Sequence, residues 1–386
     1  MNIGRRQTLR ILGAGAAFAS LSRQGIQAAT PGTPQFAYVG CRTTKARNAR
    51  GKGISVYRVP GVGQRWELVE IVEGLDNPSF LTLGRAQNHL YAVHGDMSDI
   101  SAYTIDPLSG KLQLINRQST RGRNPVHLAI DPTGHFVVVA NYASGSVVTL
   151  PILPNGGVGK VADLFQISGE PGPHREQHDG PHPHDVPFDP AGRYMLVPDK
   201  GVDRVFALRL DGMTGRLQPA PTPHVTAAPG AGPRHIVFHP KGTIAYVVNE
   251  LDSTITTYRY DSSTAELAPL QTLSTLPLGF VGNSTGAEIQ MDKLGRFVFA
   301  SNRGHDSVVT MAVEPESGLL KPIGWTPTGG KGPRFFTLSP TGKSMYVANE
   351  GSDSIVELTF DEYSGQLIAS GNVMPTGSPV CIVVRQ

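Results

Sequence analysis

The chain has 386 residues, with 45 Gly and 31 Pro, a formal net charge of +3 and 17 % charged residues. That turn-rich composition suits an all-β protein, and a folded body of about 350 residues is too long for one ordinary core. Four arginines and no acid fall within residues 1–29, which leaves the rest near −1 and makes nucleic acid an unfavoured partner.

Residues 1–29 differ in kind from the rest of the chain. Arg5-Arg6-Gln7-Thr8-Leu9-Arg10 precedes a weakly apolar run, Ile11 to Leu21, rich in Gly and Ala. A paired arginine before a short, mild apolar run predicts a twin-arginine export signal, cleaved near Ala28 or Ala29. The protein is then expected to be periplasmic or secreted. The run is too short to span a bilayer and no later stretch has that length, so no stable membrane insertion is expected after cleavage.

From residue 30 onward one pattern recurs. In Pro233 to Ile255 an apolar run (Ile236, Val237, Phe238) meets the turn His239-Pro240-Lys241-Gly242, then Ile244 to Val248, then Asn249-Glu250-Leu251-Asp252, then a new strand. Sixteen residues separate Pro233 from Asn249, and 6 more lead to Ile255. Pro78, Pro125, Pro183, Gly286 and Pro333 keep both distances, reaching His94, Asn141, Asp199, Asn302 and Asn349. The starts are 47, 58, 50, 53 and 47 residues apart, so loops change length around a constant β core. Four short strands at this period predict a propeller blade.

Pro379 opens a seventh unit, but the chain stops soon after Val384. Its missing strands are predicted at the other end, over Phe36 to Gly40, Gly53 to Val59 and Trp66 to Val72. The fold class is therefore all-β: a seven-bladed β-propeller over 30–386, its ring closed by N-terminal strands pairing with the C-terminal strand. Cys41 and Cys381 both fall in this split blade, with Cys381 expected opposite Gly40. A disulfide would staple the ring in an oxidising compartment. A one-residue offset turns the two side chains to opposite faces, and the other reading is a pair of buried thiols.

Two loops depart from the repeat. Thr43 to Gly53 is basic and reads as a solvated run. Ser168 to His182 accounts for the longest gap and places His174, His178 and His182 just ahead of His184. No acidic or Cys partner stands at a metal-site spacing, so neither metal nor cofactor is expected.

In a propeller the innermost strand begins, and the second strand ends, at the same mouth of the central channel. One residue past each start come Ser79, Val126, His184, Arg234, Ala287, Arg334 and Val380. The second strands end at Cys41, His94, Asn141, Asp199, Asn249, Asn302 and Asn349, followed by Arg42, Gly95, Tyr142, Lys200, Glu250, Arg303 and Glu350. His184, Arg234, Glu250, Arg303 and Arg334 are thereby gathered at one opening. Cations around a carboxylate and an imidazole bind anions and move protons. The blander reading is mutual salt bridging, with the Asn and Asp residues serving as turn caps.

These residues resemble the lactonase family of seven-bladed propellers. That family includes bacterial propeller-type 6-phosphogluconolactonase and the fungal carboxy-cis,cis-muconate lactonizing enzyme. The resemblance runs over 35–386. It rests on Asn77-Pro78-Ser79-Phe80, Pro181-His182-Pro183-His184, Asp199 with Asp203-Arg204-Val205, Gly230-Ala231-Gly232-Pro233-Arg234-His235, Asn249-Glu250-Leu251 and Ser301-Asn302-Arg303-Gly304-His305-Asp306. It implies catalytic roles for His184, Arg234, Glu250 and Arg303, and an anion contact at Arg334. His182, His235, Asn141 and Asp199 complete the candidate substrate-binding set. The expected activity is hydrolysis of a sugar lactone by water attack, with Glu250 or His184 as base and arginines at the oxyanion. Alternatives are a muconate-type cycloisomerase, or a non-catalytic exported propeller that binds a ligand or partner.

Overall fold

The computed structural model describes residues 35–385, apart from Val62. The predicted export signal lies outside the described residues. Seven antiparallel sheets form a ring. We number the blades 1 (78–119), 2 (125–166), 3 (183–226), 4 (233–274), 5 (285–327), 6 (333–375) and 7 (379–385 with 35–73). Blade 4 sets the pattern, with Pro233–Phe238 innermost, then Ile244–Asn249, Thr254–Asp261 and Glu266–Ser274. In blade 7 the C-terminal strand Pro379–Arg385 pairs with Gln35–Cys41, which pairs in turn with Gly53–Val59.

The 16-residue spacing proves to be a pairing distance. Pro78 lies opposite His94, Pro125 opposite Asn141, Pro183 opposite Asp199, Pro233 opposite Asn249, Gly286 opposite Asn302 and Pro333 opposite Asn349. Immediately after this pair most inner strands slip register, as between Pro233 and His235 or Pro333 and Phe335. The slip is a β-bulge, which leaves an extra residue unpaired and re-aims its side chain. Arg234 and Arg334 are such residues.

Second strands read as unbroken apolar runs because both of their faces are covered by neighbouring blades. All six residues of Phe136–Asn141 and of Ser344–Asn349 are buried. Each fully buried Val or Ile contributes ~1.5–3 kcal/mol, and the layers between blades hold the ring. Outer strands such as Glu67–Glu73 keep one polar, exposed face.

Blade 3 departs from the expected four regular strands. Its innermost segment, 183–188, touches Met195–Asp199 only through isolated bridges at Pro183 and Phe188. Pro183 and Pro187 have no N–H to give to a ladder. The Asp185 carboxylate compensates by accepting the N–H groups of Val186 (2.8 Å) and of Ile236 in blade 4 (3.0 Å). Cys381 does face Gly40, while Cys41 pairs with Pro379 beyond a register slip. The thiols are buried, free and not bonded to each other.

Candidate active site

Glu250 sits one residue beyond the second strand of blade 4, its N–H donating to Gly232 O at 2.7 Å. Its carboxylate gathers cations from three blades. Lys200 Nζ lies 3.0 Å and Arg303 Nη2 3.2 Å from Oε1, and Arg234 Nε lies 2.9 Å from Oε2. Burial alone would raise this carboxyl, but Arg303, Lys200 and Arg234 outweigh it and hold Glu250 well below the usual carboxylate range. It is therefore ionised at neutral pH. The approach of blade 5 to this point explains the one start that lacks proline. A β-carbon on Gly286 would lie 2.7 Å from Asn249 O, and Gly286 O accepts from Arg303 Nη2 at 3.0 Å.

The arginines are aimed by the preceding blade. Asp203, in the left-handed region at φ 50°, accepts N–H bonds from Gly230 (2.6 Å) and Gly232 (2.8 Å), just before Pro233-Arg234. Asp306, at φ 54°, likewise accepts from Gly332 (2.8 Å), just before Pro333-Arg334. Asp tolerates this conformation better than most residues. Asp203 also takes a bond from Gln177 Nε2 (2.7 Å), which anchors the long loop before His182. Arg234 is buried. It donates from Nη1 to Ala287 O and to His235 Nε2, and its Nε faces Glu250.

A cavity of about 190 Å³ opens at the mouth, lined by Tyr142, His184, Lys200, Glu250, Arg334 and Arg42 among others. His184 is buried and its Nδ1 has no hydrogen-bond partner. Burial first, and then Arg234, holds His184 well below the ordinary imidazole value, so it is a neutral ring with an unused nitrogen. Tyr142 stands edge-on to it at 5.6 Å between ring centroids. Arg303 reaches Glu250 from behind, outside the cavity lining, and Arg234 faces a narrower space underneath.

The other candidates divide. His182 stacks flat on Tyr142 at 4.3 Å and so braces the cavity wall. His235 lies one layer deeper. Asn141 and Asp199 do not line the cavity, contrary to their expected role as substrate contacts. Asn141 donates to Thr120 O, and Asp199 Oδ1 accepts the N–H groups of His182, Gly201 and Val202. Asp199 caps the turn that follows it, and Asn141 ties its strand end to the preceding blade. The basic loop is more than a solvated run, because Arg47 pairs with Asp96, Arg50 pairs with Asp353, and Arg47 lines the mouth.

The layer beneath the cavity, apart from His235, was not among the expected site residues. The bulge turns the residue two past each start inward as well, and that register reads Phe80, His127, Asp185, His235, Glu288, Phe335 and Cys381. His127 Nε2 lies 3.1 Å from Asp185 Oδ1 and His235 Nδ1 lies 3.2 Å from Glu288 Oε2. Phe80 packs on His127 at 4.1 Å and on Phe335 at 5.8 Å. Burial pushes Asp185 up to about 7 and Glu288 well above the usual range. Four titratable residues in a register that should be apolar were the available signal.

Comparison with known proteins agrees with this fold. The family model "Lactonase, 7-bladed beta-propeller" matches residues 36–384. A 6-phosphogluconolactonase of Bacillus subtilis is 31 % identical over 356 residues, covering 91 % of this chain and 98 % of its own length. A 6-phosphogluconolactonase of Formosa agariphila is 33 % identical over 317 residues, covering 79 % of this chain and 87 % of its own. Among solved structures, the periplasmic gluconolactonase of Pseudomonas aeruginosa superposes with a TM-score of 0.84 at 31 % identity, covering 92 % of this chain and 99 % of that one. By fold, register and sequence alike, the chain belongs to the lactonase family of seven-bladed β-propellers.

Proposed function

We propose that this lactonase-family enzyme hydrolyses a sugar lactone or similar cyclic ester, with His184 as general base. The observation that carries the reading is a neutral, buried imidazole with a free Nδ1 lining the same cavity as an ionised Glu250. Cations occupy both oxygens of Glu250, which makes it a counter-charge, whereas His184 Nδ1 has no partner and is left to take the proton. Water attacks the carbonyl carbon and gives its proton to His184. The carbonyl π electrons move onto oxygen, where Lys200 and Arg334 compensate the charge. Collapse breaks the ring C–O bond, and His184 returns the proton to the departing alkoxide. Glu250 stabilises the transient imidazolium, as the carboxylate of a catalytic triad does. Arg234 and Arg303 act through Glu250 by holding it in place.

The assay is hydrolysis of a gluconolactone panel by mature protein, run beside a muconate-type diacid. His184→Asn should lower kcat/KM by ~10²-fold or more while the fold persists. Unchanged turnover would remove His184 from the mechanism, and turnover of the diacid alone would replace the reaction. The paired Arg5-Arg6 and the likeness to a periplasmic enzyme support export of this chain. Replacing both arginines with Lys should retain the protein in the cytoplasm, and unimpeded export would refute that assignment.

A further inference from the structure

Beneath the mouth, one buried imidazole has a neighbour at each ring nitrogen. Arg234 Nη1 donates to His235 Nε2 at 3.2 Å. A guanidinium has hydrogens to give and no lone pair to receive one, so Nε2 must be the bare nitrogen of the ring. Burial first, and then the Arg234 charge, keeps His235 neutral, so its single ring proton sits on Nδ1. That nitrogen lies 3.2 Å from Glu288 Oε2, which accepts from no other group. His127 differs: it meets Asp185 through Nε2, its Nδ1 has no partner, and the pair leads no further.

Blade 5 supplies both supports of this arrangement. Its inner strand Thr285–Met291 slips register between Gly286 and Ile289, which leaves Ala287 and Glu288 off the ladder. Ala287 O accepts from Arg234 Nη1, and Glu288 faces His235. Glu288 is itself fixed, its Oε1 accepting Ile289 N–H at 3.2 Å and its own N–H donating to Ser301 Oγ at 3.1 Å. On the far side Arg234 Nε lies 2.9 Å from Glu250 Oε2. Glu288, His235, Arg234 and Glu250 thus run in sequence from the core to the cavity. Arg234 lies outside the lining of that 190 Å³ space.

We propose that Glu288 is a positioning residue, which fixes His235 in the Nδ1-protonated tautomer and thereby holds the Arg234 guanidinium against Glu250. The proposal deepens the lactonase reading and rests on it for the reaction that reports the effect. An oxygen in the Oε2 place keeps a lone pair for the Nδ1 hydrogen whether or not the carboxyl carries a proton. An amide nitrogen there has none. With Nδ1 made to accept, the ring proton moves to Nε2 and confronts Arg234 donor to donor.

Glu288→Gln tests this, because it exchanges a lone pair for hydrogens at almost constant volume. Ile289 N–H retains the amide oxygen at the Oε1 place, and the amide nitrogen turns to His235. The measurements are gluconolactone kinetics and nitrogen NMR of histidine-labelled protein, which tells a bare ring nitrogen from a protonated one. The His235 signals are assigned by their loss in His235→Asn. His235 should be protonated at Nδ1 in the wild type and at Nε2 in Glu288→Gln. The variant's kcat should fall ~10-fold or more with KM within ~2-fold, because Arg234 acts on the reaction only through Glu250. A wild-type ring protonated at Nε2 overturns the proposal even if the variant fails to fold. A swapped tautomer with wild-type kcat, or a lowered kcat with the tautomer unchanged, overturns it too. A swap in a protein that opens no gluconolactone would uphold the control of His235 by Glu288 and defeat the lactonase reading.

Discussion

Replacing Glu250 with Gln removes one charge where three cations meet, at 2.9, 3.0 and 3.2 Å. Stripping one partner from a buried ion pair costs ~3–5 kcal/mol. Two facts bring the value to the lower end: the Arg303 side chain is 18 % exposed, and Lys200 keeps Glu176 at 3.2 Å. A loss of ~3 kcal/mol, at ~2–4 °C per kcal/mol for a large domain, lowers Tm by ~6–12 °C. Turnover should also fall, by ~10²-fold or more, because the imidazolium loses its counter-charge. The pH profile separates the roles. Glu250 raises the His184 pKa, so its removal lowers that pKa and moves the acid limb of kcat/KM to lower pH. A wild-type Tm would show that the carboxylate does not hold the three cations. Disappearance of the acid limb would make Glu250 itself the base.

Asp203→Ala should strip the clamp from Gly230, Gly232 and Gln177, costing ~1–3 kcal/mol for each buried donor left unpaired. Both Tm and kcat/KM should drop, since the clamp sets the approach to Arg234; wild-type kinetics at a lowered Tm would disconnect the clamp from the site. Asp185 tests linkage. Its pKa rises from 3.8 to about 7 through burial, so the fold keeps a proton that the unfolded chain has already released. The stability this gives is complete below about pH 4 and is lost as pH rises through 7. Asp185→Asn, neutral throughout, should gain in Tm relative to wild type between pH 5 and pH 8, and parallel pH profiles would refute the assignment.

The ring was legible in the sequence because a pairing distance is local. Pro233 and Asn249 face each other across one hairpin, and the same count repeats wherever that hairpin does. The mouth was legible for the same reason, as strand ends fall on one side of every sheet. Bulges were not, because they depend on how the backbone twists toward the axis, and they turned His127, Asp185 and Glu288 inward beside the expected His235. Asn141 and Asp199 stood at the right ends of the right strands, but backbone N–H and C=O groups claimed them first. Arg42 was visible as a ring member. Its reach over Gly95 depends on the packing of blade 7 against blade 1, which no strand pattern encodes.

Sealing the circle through Gln35–Cys41 gives one strand two jobs. It is the fastener between the chain's two ends, and Arg42 is attached directly to it. Peeling that strand from Pro379–Arg385 would withdraw the guanidinium from the opening. Whatever grips Arg42 therefore also resists unzipping, and any ligand held there at a hundred times its Kd would add ~2.7 kcal/mol against separation. Occupancy of the mouth and durability of the closure then become a single thermodynamic quantity.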